Sequence, residues 1–283
     1  QKSLMIANTS GWDTDCNSGN LGCLLGIKNG LAGIDESAVD WRGPVADRLY
    51  LPTADGGRAI TDAVAETYSL VNAARALTGA PALAPKQGAR FHFELPGSVQ
   101  GFQPEGKTAT TQVSVTNTQG HSRTGQRSLR IHVARLAPGQ RTRVATATFI
   151  PPEAIAMPGY GLLASPTLYA GQVVTASLQA DSANAQPVNV RLFLAIYGPD
   201  DQPQWIEGPA AHLAPGEWQT LEWRVPRTDG LPIFAIGLQL DSVGTLFLDS
   251  LTWAGESDII FGQPTGSKSL LWRKAWINGV DHW

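Results

Sequence analysis

Two carboxylates stand one residue apart in the stretch TSGWDTDCNSGNLGCLLG, Thr9 to Gly26, just ahead of a run of small and apolar residues. Asp13 and Asp15 at that spacing repel each other unless a cation or a ring of hydrogen-bond donors lies between them. They fall where a loop turns into a helix, so the backbone is still irregular enough for both to aim at one point. Carboxylate oxygens suit Mg2+, Mn2+ or Ca2+. The competing reading is a helix cap, in which a carboxylate accepts from the first free N–H groups at the positive end of the helix dipole. Spacing alone leaves both open.

Other chemistry is sparse. The histidines His92, His121, His132, His212 and His282 form no H-x-x-x-H pair and have no cysteine partner, so zinc is not indicated. MPGYGLLASP carries two glycines but leads into a strand, unlike a phosphate loop, and GHSRTGQRS reads as a solvated hairpin. No nucleophile triad signature is present. Trp205, Trp218, Trp223 and Tyr197 are of a type that stacks on a sugar ring. Trp218 and Trp223 lie five apart in the strand pattern EWQTLEWRV, so they face opposite sides and one is expected in the core. Trp205, in the stretch GPDDQPQWIEG that reads as a polar loop, is the leading candidate platform.

The elements that position these residues fall into two regimes. Over 16–80 the periodicity is helical: ITDAVAETYSLVNAARALTG places Ile60, Val64, Tyr68, Val71 and Leu77 at steps of three and four, and Gly79 and Pro81 end the run. NSGNLGCLLGIKNGLAG also reads as a helix, with Gly19, Gly22 and Gly26 along one side, a pattern that predicts close approach by another backbone. DWRGPVADRLYLPTADGG between them reads as an ordered loop. Beyond the Pro-rich 81–87 stretch the period becomes two. TTQVSVTNT, RSLRIHVARL, TRVATATFI, GQVVTASLQA, NVRLFLAIYG, EWQTLEWRV, FAIGLQL and GTLFLDSLTW belong to about eight to ten strands, and so to an antiparallel sandwich or jelly roll. The fold class is multidomain, α plus all-β, with a boundary near residue 85.

The whole chain sets further bounds. A formal charge of −3, a pI near 6.0 and scattered Lys and Arg leave no basic field for nucleic acid. No apolar run approaches the ~20 residues of a membrane span. Cys16 and Cys23, two helical turns apart, are too distant for a disulfide and are expected as free, packed thiols. The chain starts at Gln1 and stops after WRKAWINGVDHW, where an element is starting, so a piece of a longer protein is expected.

GWDTDCNSGNLGCLLG resembles the carboxy-terminal metal motif of the ADP-ribosylglycohydrolase family, a G-x-D-T-D followed by Ser or Thr and a small-residue helix. DRLYLPTADGGRAITDAVAETYSLVNAARAL is similar to that family's terminal helices, so the likeness covers roughly residues 5 to 80. It implies an all-α fold in which Asp13 and Asp15 ligate Mg2+, with Cys16 standing where the family has a hydroxyl ligand. A thiol suits a hard cation poorly. The family's amino-terminal G-D-x-x-G segment, which brings the other ligands and a catalytic Glu, has no counterpart here. The implied Mg2+ site is therefore incomplete, and a partner chain or a missing segment would complete it. In the intact parent, metal would orient an ADP-ribose-type substrate and activate water against its glycosidic bond.

RFHFELPGSVQGF, TGQRSLRIHV and GTLFLDSLTWAG resemble the opening, middle and closing strands of carbohydrate-binding jelly rolls. That likeness implies a structural Ca2+ between Glu94 and Asp249, completed by backbone carbonyls near Gly125 and Arg127, and a glycan ligand at Trp205, Trp218 or Tyr197. The expected organisation is thus 1–84 as the helical hydrolase-like part, 85–256 as the sandwich and 257–283 as a further element or tail. The function expected is part of a metal-dependent glycosidic hydrolase, this chain alone being inactive. Its alternatives are a carbohydrate-binding module without catalysis and a structural accessory domain. The accessory jelly roll and the low Lys content lean towards an extracellular setting.

Overall fold

The computed structural model describes residues 1–51, 56–106, 110–155, 164–198 and 200–259. Most of MPGYGLLASP, and all but the first three residues of the expected 257–283 element, lie outside them. The chain divides into two compact units, Gln1–Ala46 and Asp47–Trp283.

The first unit holds helices α1 (Lys2–Asn8) and α2 (Thr14–Asp35), the latter interrupted at Gly30, where φ 66° and ψ −175° leave the helical region. Neither helix has a buried residue. The close backbone approach expected along the glycines does not occur. A Cβ at Gly19 would meet nothing within 4 Å, one at Gly22 the Leu4 side chain at 3.7 Å, and one at Gly26 the Ile34 side chain at 4.0 Å. Cys16 and Cys23 are free, but exposed rather than packed.

The second unit opens with a hairpin of β1 (Arg48–Tyr50) and β2 (Ile60–Asp62), which runs into α3 (Ala63–Leu77). Part of the stretch read as a loop is therefore strand, and the predicted amphipathic helix begins three residues later than its pattern. Asp62 explains the start: at φ −140° its carboxylate accepts from the N–H groups of Val64 and Ala65, an N-cap that ends the strand and opens the helix. The division at Ala46 and Asp47 places this helix with the β unit, earlier in the chain than the boundary near 85.

The described sandwich strands are β3 (Gln103–Pro104), β4 (Gln112–Gln119), β5 (Arg127–Arg135), β6 (Thr142–Ala147), β7 (Val173–Ala180), β8 (Val188–Tyr197), β9 (Pro203–Leu213), β10 (Trp218–Arg224), β11 (Ile233–Leu240) and β12 (Gly244–Ala254). A one-turn helix α4 (Pro152–Ile155) follows β6. They form two antiparallel five-stranded sheets, ordered β10-β7-β12-β5-β4 and β3-β6-β11-β8-β9. The eight runs with period two are all strands. Between the sheets, alternate residues make the core: Leu129, Ile131 and Val133 of β5 and Val174, Ala176 and Leu178 of β7 belong to the same cluster as Val190, Leu192 and Leu194 of β8 and Ile236, Leu238 and Leu240 of β11. Each large aliphatic side chain so buried contributes about 1.5–3 kcal/mol.

A second apolar cluster covers part of the other face of the second sheet. Phe193, Ala195 and Tyr197 of β8 and Ala235 of β11 pack under Phe149, Ile150, Ala154 and the hairpin residues Ala59 and Ile60. Among the described residues, no helix is long and apolar enough to cross a membrane.

His92 lies buried edge-on to Tyr68, ring centroids 5.0 Å apart, and its Nδ1 accepts from the Glu94 N–H at 3.1 Å. Burial lowers its pKa from 6.5 to about 4, Glu94 pulling upward and Lys86 pushing further down. The unfolded chain takes up that proton and the native one does not, so stability falls as pH drops from about 6.5 towards 4. Urea midpoints measured across this range are expected to fall less steeply in His92→Gln, whose amide oxygen accepts the same bond without titrating.

Candidate functional site

Strand register assembles a surface on the outer face of the second sheet. Residues directly opposite in an antiparallel ladder share a face. One row therefore runs Gln103, Ala145, Gly237, Phe193 and Glu207 across β3, β6, β11, β8 and β9. The next row on one side is Ala147, Ala235, Ala195 and Trp205; on the other it is Arg143, Gln239, Arg191 and Ala210. Asn189 and His212 extend the face further. From Ala195 to Asn189 this spans about 20 Å along β8. Small side chains make the floor, so the surface is recessed: a cleft of about 340 Å³ runs over Ala145, Ala147 and Ala235 between Trp205, Glu105 and Glu153.

Trp205 stands at the rim, 47% exposed. It lies on strand β9, paired with Ala195, not in a loop, and a bulge follows it. Register slips between Arg191 and Phe193, leaving Gly208 and Pro209 opposite Leu192. The slip keeps Trp205 and Glu207 on the outer face before it and Ala210 and His212 on that face after it. Glycine is required there because a Cβ at Gly208 would come within 2.6 Å of the Trp223 ring.

The indole is fixed by its neighbours. The Arg143 guanidinium lies 4.8 Å from its ring centroid and 5.5 Å from that of Phe193, a cation held between two aromatic rings. The Glu105 carboxylate lies near the indole N–H and 3.9 Å from Arg143. Burial pushes the Glu105 carboxyl above the ordinary range, against the pull of Arg143 and of the indole N–H. Beyond it the polar groups are chained. Arg143 Nε donates to Gln239 Oε1 at 2.8 Å, Gln239 Nε2 donates to Glu207 at 3.3 Å, and Glu207 pairs with Arg141 at 2.6 Å and Arg191 at 3.2 Å. The face thus offers one aromatic surface beside a line of planar, hydrogen-bonding groups.

The other aromatic candidates are elsewhere. Tyr197 is 2% exposed, its ring stacked on Phe234 at 4.3 Å and its hydroxyl donating to the Ile150 carbonyl at 2.8 Å. It is part of the roof under the second cluster and has no face to offer a ligand. Trp218 is partly exposed on β10, at the edge of the opposite sheet. Trp223, on the same strand, packs against the core.

Glu94 and Asp249, expected around Ca2+, are brought together, but around an ammonium. Lys86 Nζ donates to the Arg127 carbonyl at 2.5 Å and to both the carbonyl and Oδ1 of Asp249 at 2.7 Å, with Glu94 Oε1 at 3.4 Å. The Gly125 carbonyl accepts from Ser122 instead, and a Cβ at Gly125 would run into the Glu94 carboxylate. Calcium takes six to eight oxygens at about 2.3–2.6 Å. With a lysine head at the centre of four, these residues do not fit the ion as the chain stands.

Asp13, Asp15 and Cys16 are also brought together, their ligand atoms within 4.8 Å of one another, and all three are exposed. Asp13 occupies the N-cap of α2 with φ 42° but makes no cap hydrogen bond through its side chain. The N–H groups of Cys16 and of Asp15 itself hold the Asp15 carboxyl below its usual value, while a bond from the thiol to Asp13 and the charge of both carboxylates raise Cys16. Mg2+ requires a near-octahedral oxygen shell. Two exposed carboxylates and a thiol on one helical turn do not supply it, and no further His, Cys, Asp or Glu among the described residues joins them.

No known protein-family model matches the chain, and no curated protein matches it. Solved structures do. A structure described as the "structural basis for the promiscuous specificity of the carbohydrate-binding modules from the beta-sandwich super family" aligns with TM-score 0.46 and 16% identity over 62% of this chain and 64% of that one. The Clostridium thermocellum xylanase 10B CBM22-1-GH10 modules, complexed with xylohexaose, align at 0.42 and 12% over 58% and 27%. The CBM22-1 xylan-binding domain of Paenibacillus barcinonensis Xyn10C aligns at 0.41 and 13% over 59% and 94%. The match spans less than two thirds of the first of these and about a quarter of the second.

The Glu105 carboxylate beside Trp205 makes the indole a reporter. Protonating Glu105 removes the charge that the N–H faces, so tryptophan fluorescence is expected to titrate with a midpoint above the usual carboxylate value of 4.5. The same titration run on Glu105→Gln is expected to lack that component.

Proposed function

We propose that the second unit binds a carbohydrate chain along the outer face of its second sheet, with Trp205 as the stacking platform. One observation carries this reading: an indole held in fixed orientation by Arg143 and Glu105, nearly half exposed, at the rim of a cleft floored by alanines. A pyranose ring presents an apolar C–H face and a girdle of hydroxyls. The indole matches the first. Arg143, Arg191 and Glu207 match the second, because each presents planar donors or acceptors already aligned by a neighbour, with buried Gln239 linking Arg143 to Glu207. Preorganisation of this kind lowers the ordering entropy that binding must overcome.

The competing readings have less behind them. Glycosidic hydrolysis of an ADP-ribose-type substrate needs a metal held by more than Asp13, Asp15 and Cys16. A purely structural sandwich would need no exposed, oriented tryptophan beside a recess.

The test is retention in affinity gels containing soluble xylan, mixed-linkage β-glucan or galactan, followed by calorimetry on any that retards the protein. Trp205→Ala is expected to weaken binding at least tenfold, about 1.4 kcal/mol, without shifting the thermal midpoint. Trp218→Ala should bind as the parent does. Absence of retardation on the whole panel, or full binding by Trp205→Ala, overturns the proposal.

A further inference from the structure

We infer that Lys86 is a built-in replacement for a bound divalent cation, and that the cage around it becomes a calcium-class site when the lysine is removed. The inference concerns the opposite side of the sandwich from Trp205's sheet and stands apart from what binds there.

The cage has the composition of a hard-cation site. Its four oxygens are two backbone carbonyls and two carboxylates, drawn from the segment before β4, the start of β5 and the middle of β12. The Phe91 and Leu251 bridge brings the first and last of these together. Two negative charges converge on one positive head, and Lys86 and Asp249 are 1% and 2% exposed. An ammonium has three protons, and all three are directed at oxygens within hydrogen-bond distance. The remaining carboxylate lone pairs are met by N–H and O–H groups: Glu94 accepts from Gln126 and Arg127, and Asp249 from Arg123 and the Thr124 hydroxyl. The second acid therefore needs no further cation.

The backbone shows that the lysine is placed, not merely tolerated. Pro85 is followed by two consecutive non-glycine residues in the left-handed region, Lys86 at φ 48° and Gln87 at φ 61°. Such a conformation persists only where the surroundings hold it. What it achieves is to turn the Lys86 stem inward to the point where the oxygens of Glu94, Arg127 and Asp249 converge. A divalent ion would satisfy the same oxygens from solution; the tethered ammonium does so without any dependence on ion concentration.

The experiment compares thermal melts of the parent, Lys86→Gly and Lys86→Met in EDTA, in millimolar calcium and in sodium chloride of matched ionic strength. Glycine suits the positive φ and vacates the cage, whereas methionine fills it without charge. The parent midpoint should be identical in all three buffers. Lys86→Gly should melt several degrees lower in EDTA and recover in calcium but not in sodium chloride, with one calcium bound per chain by calorimetry. Lys86→Met should be destabilised with no recovery. A parent midpoint that rises with calcium, or a Lys86→Gly protein indifferent to it, overturns the inference. Should Lys86→Gly fail to fold in all three buffers, amine acylation of the native parent decides: Lys86 must resist while exposed Lys2 and Lys28 react, and equal reactivity rejects the buried role.

Discussion

Alternation along a strand governs this molecule. Every β-strand sends successive side chains to opposite faces, so a sheet that commits one face to a core leaves the other to be solvated, covered or used. In the second sheet the inner face is aliphatic, through Val190, Leu192, Leu194, Ile236 and Leu238. Its outer face is split. Phe193, Ala195 and Tyr197 lie beneath a lid of chain from α4 and the β1–β2 hairpin, while Arg143, Arg191 and Glu207 reach solvent and Gln239 is buried between Arg143 and Glu207. The recess beside Trp205 is the seam between the covered and uncovered parts. Both the stability of the sheet and the availability of its surface follow from the same residues.

Polar groups in the second unit tie distant segments with few but saturated contacts. Asp47, the first residue of that unit, receives the Ser98 hydroxyl and the Val99 and Gln100 N–H groups on a single oxygen. Gln100 in turn accepts from the N–H groups of His92 and Phe93 through its side-chain oxygen. Lys86 does the same for the start of β5 and the middle of β12. Each is an instance of buried polarity held by complete hydrogen bonding, which gives a segment without regular structure one defined path across a sheet.

Most of the sandwich is legible in the sequence because alternation is legible: the eight period-two runs became β4 to β8 and β10 to β12. Strand β9 is not, since Pro203, Gly208 and Pro209 punctuate it and its bulge breaks the period midway. Trp205 stands out by type alone, as an aromatic among polar residues, although its neighbours fold it onto a strand. Its partners Glu105, Arg143, Gln239 and Glu207 do not stand out, because a polar residue on an outward face looks the same whether it meets water or ligand. Glu94 and Asp249, paired by resemblance to jelly rolls, converge on Lys86. Lys86 is invisible in APKQG, where a charged residue between Pro and Gly reads as linker. The glycine row in α2 misleads for a related reason: small residues record that a neighbour is permitted, not that one is present.

The irregularity of β9 has a consequence for how the protein behaves in crowded solution. As the outermost strand of its sheet it exposes a row of backbone groups that, if straight and uniform, would template pairing with a second chain. Two prolines remove donors from that row, the bulge twists it, and Glu207 adds charge. The irregularity that interrupts the strand therefore also guards the border of the sheet against amyloid-like stacking.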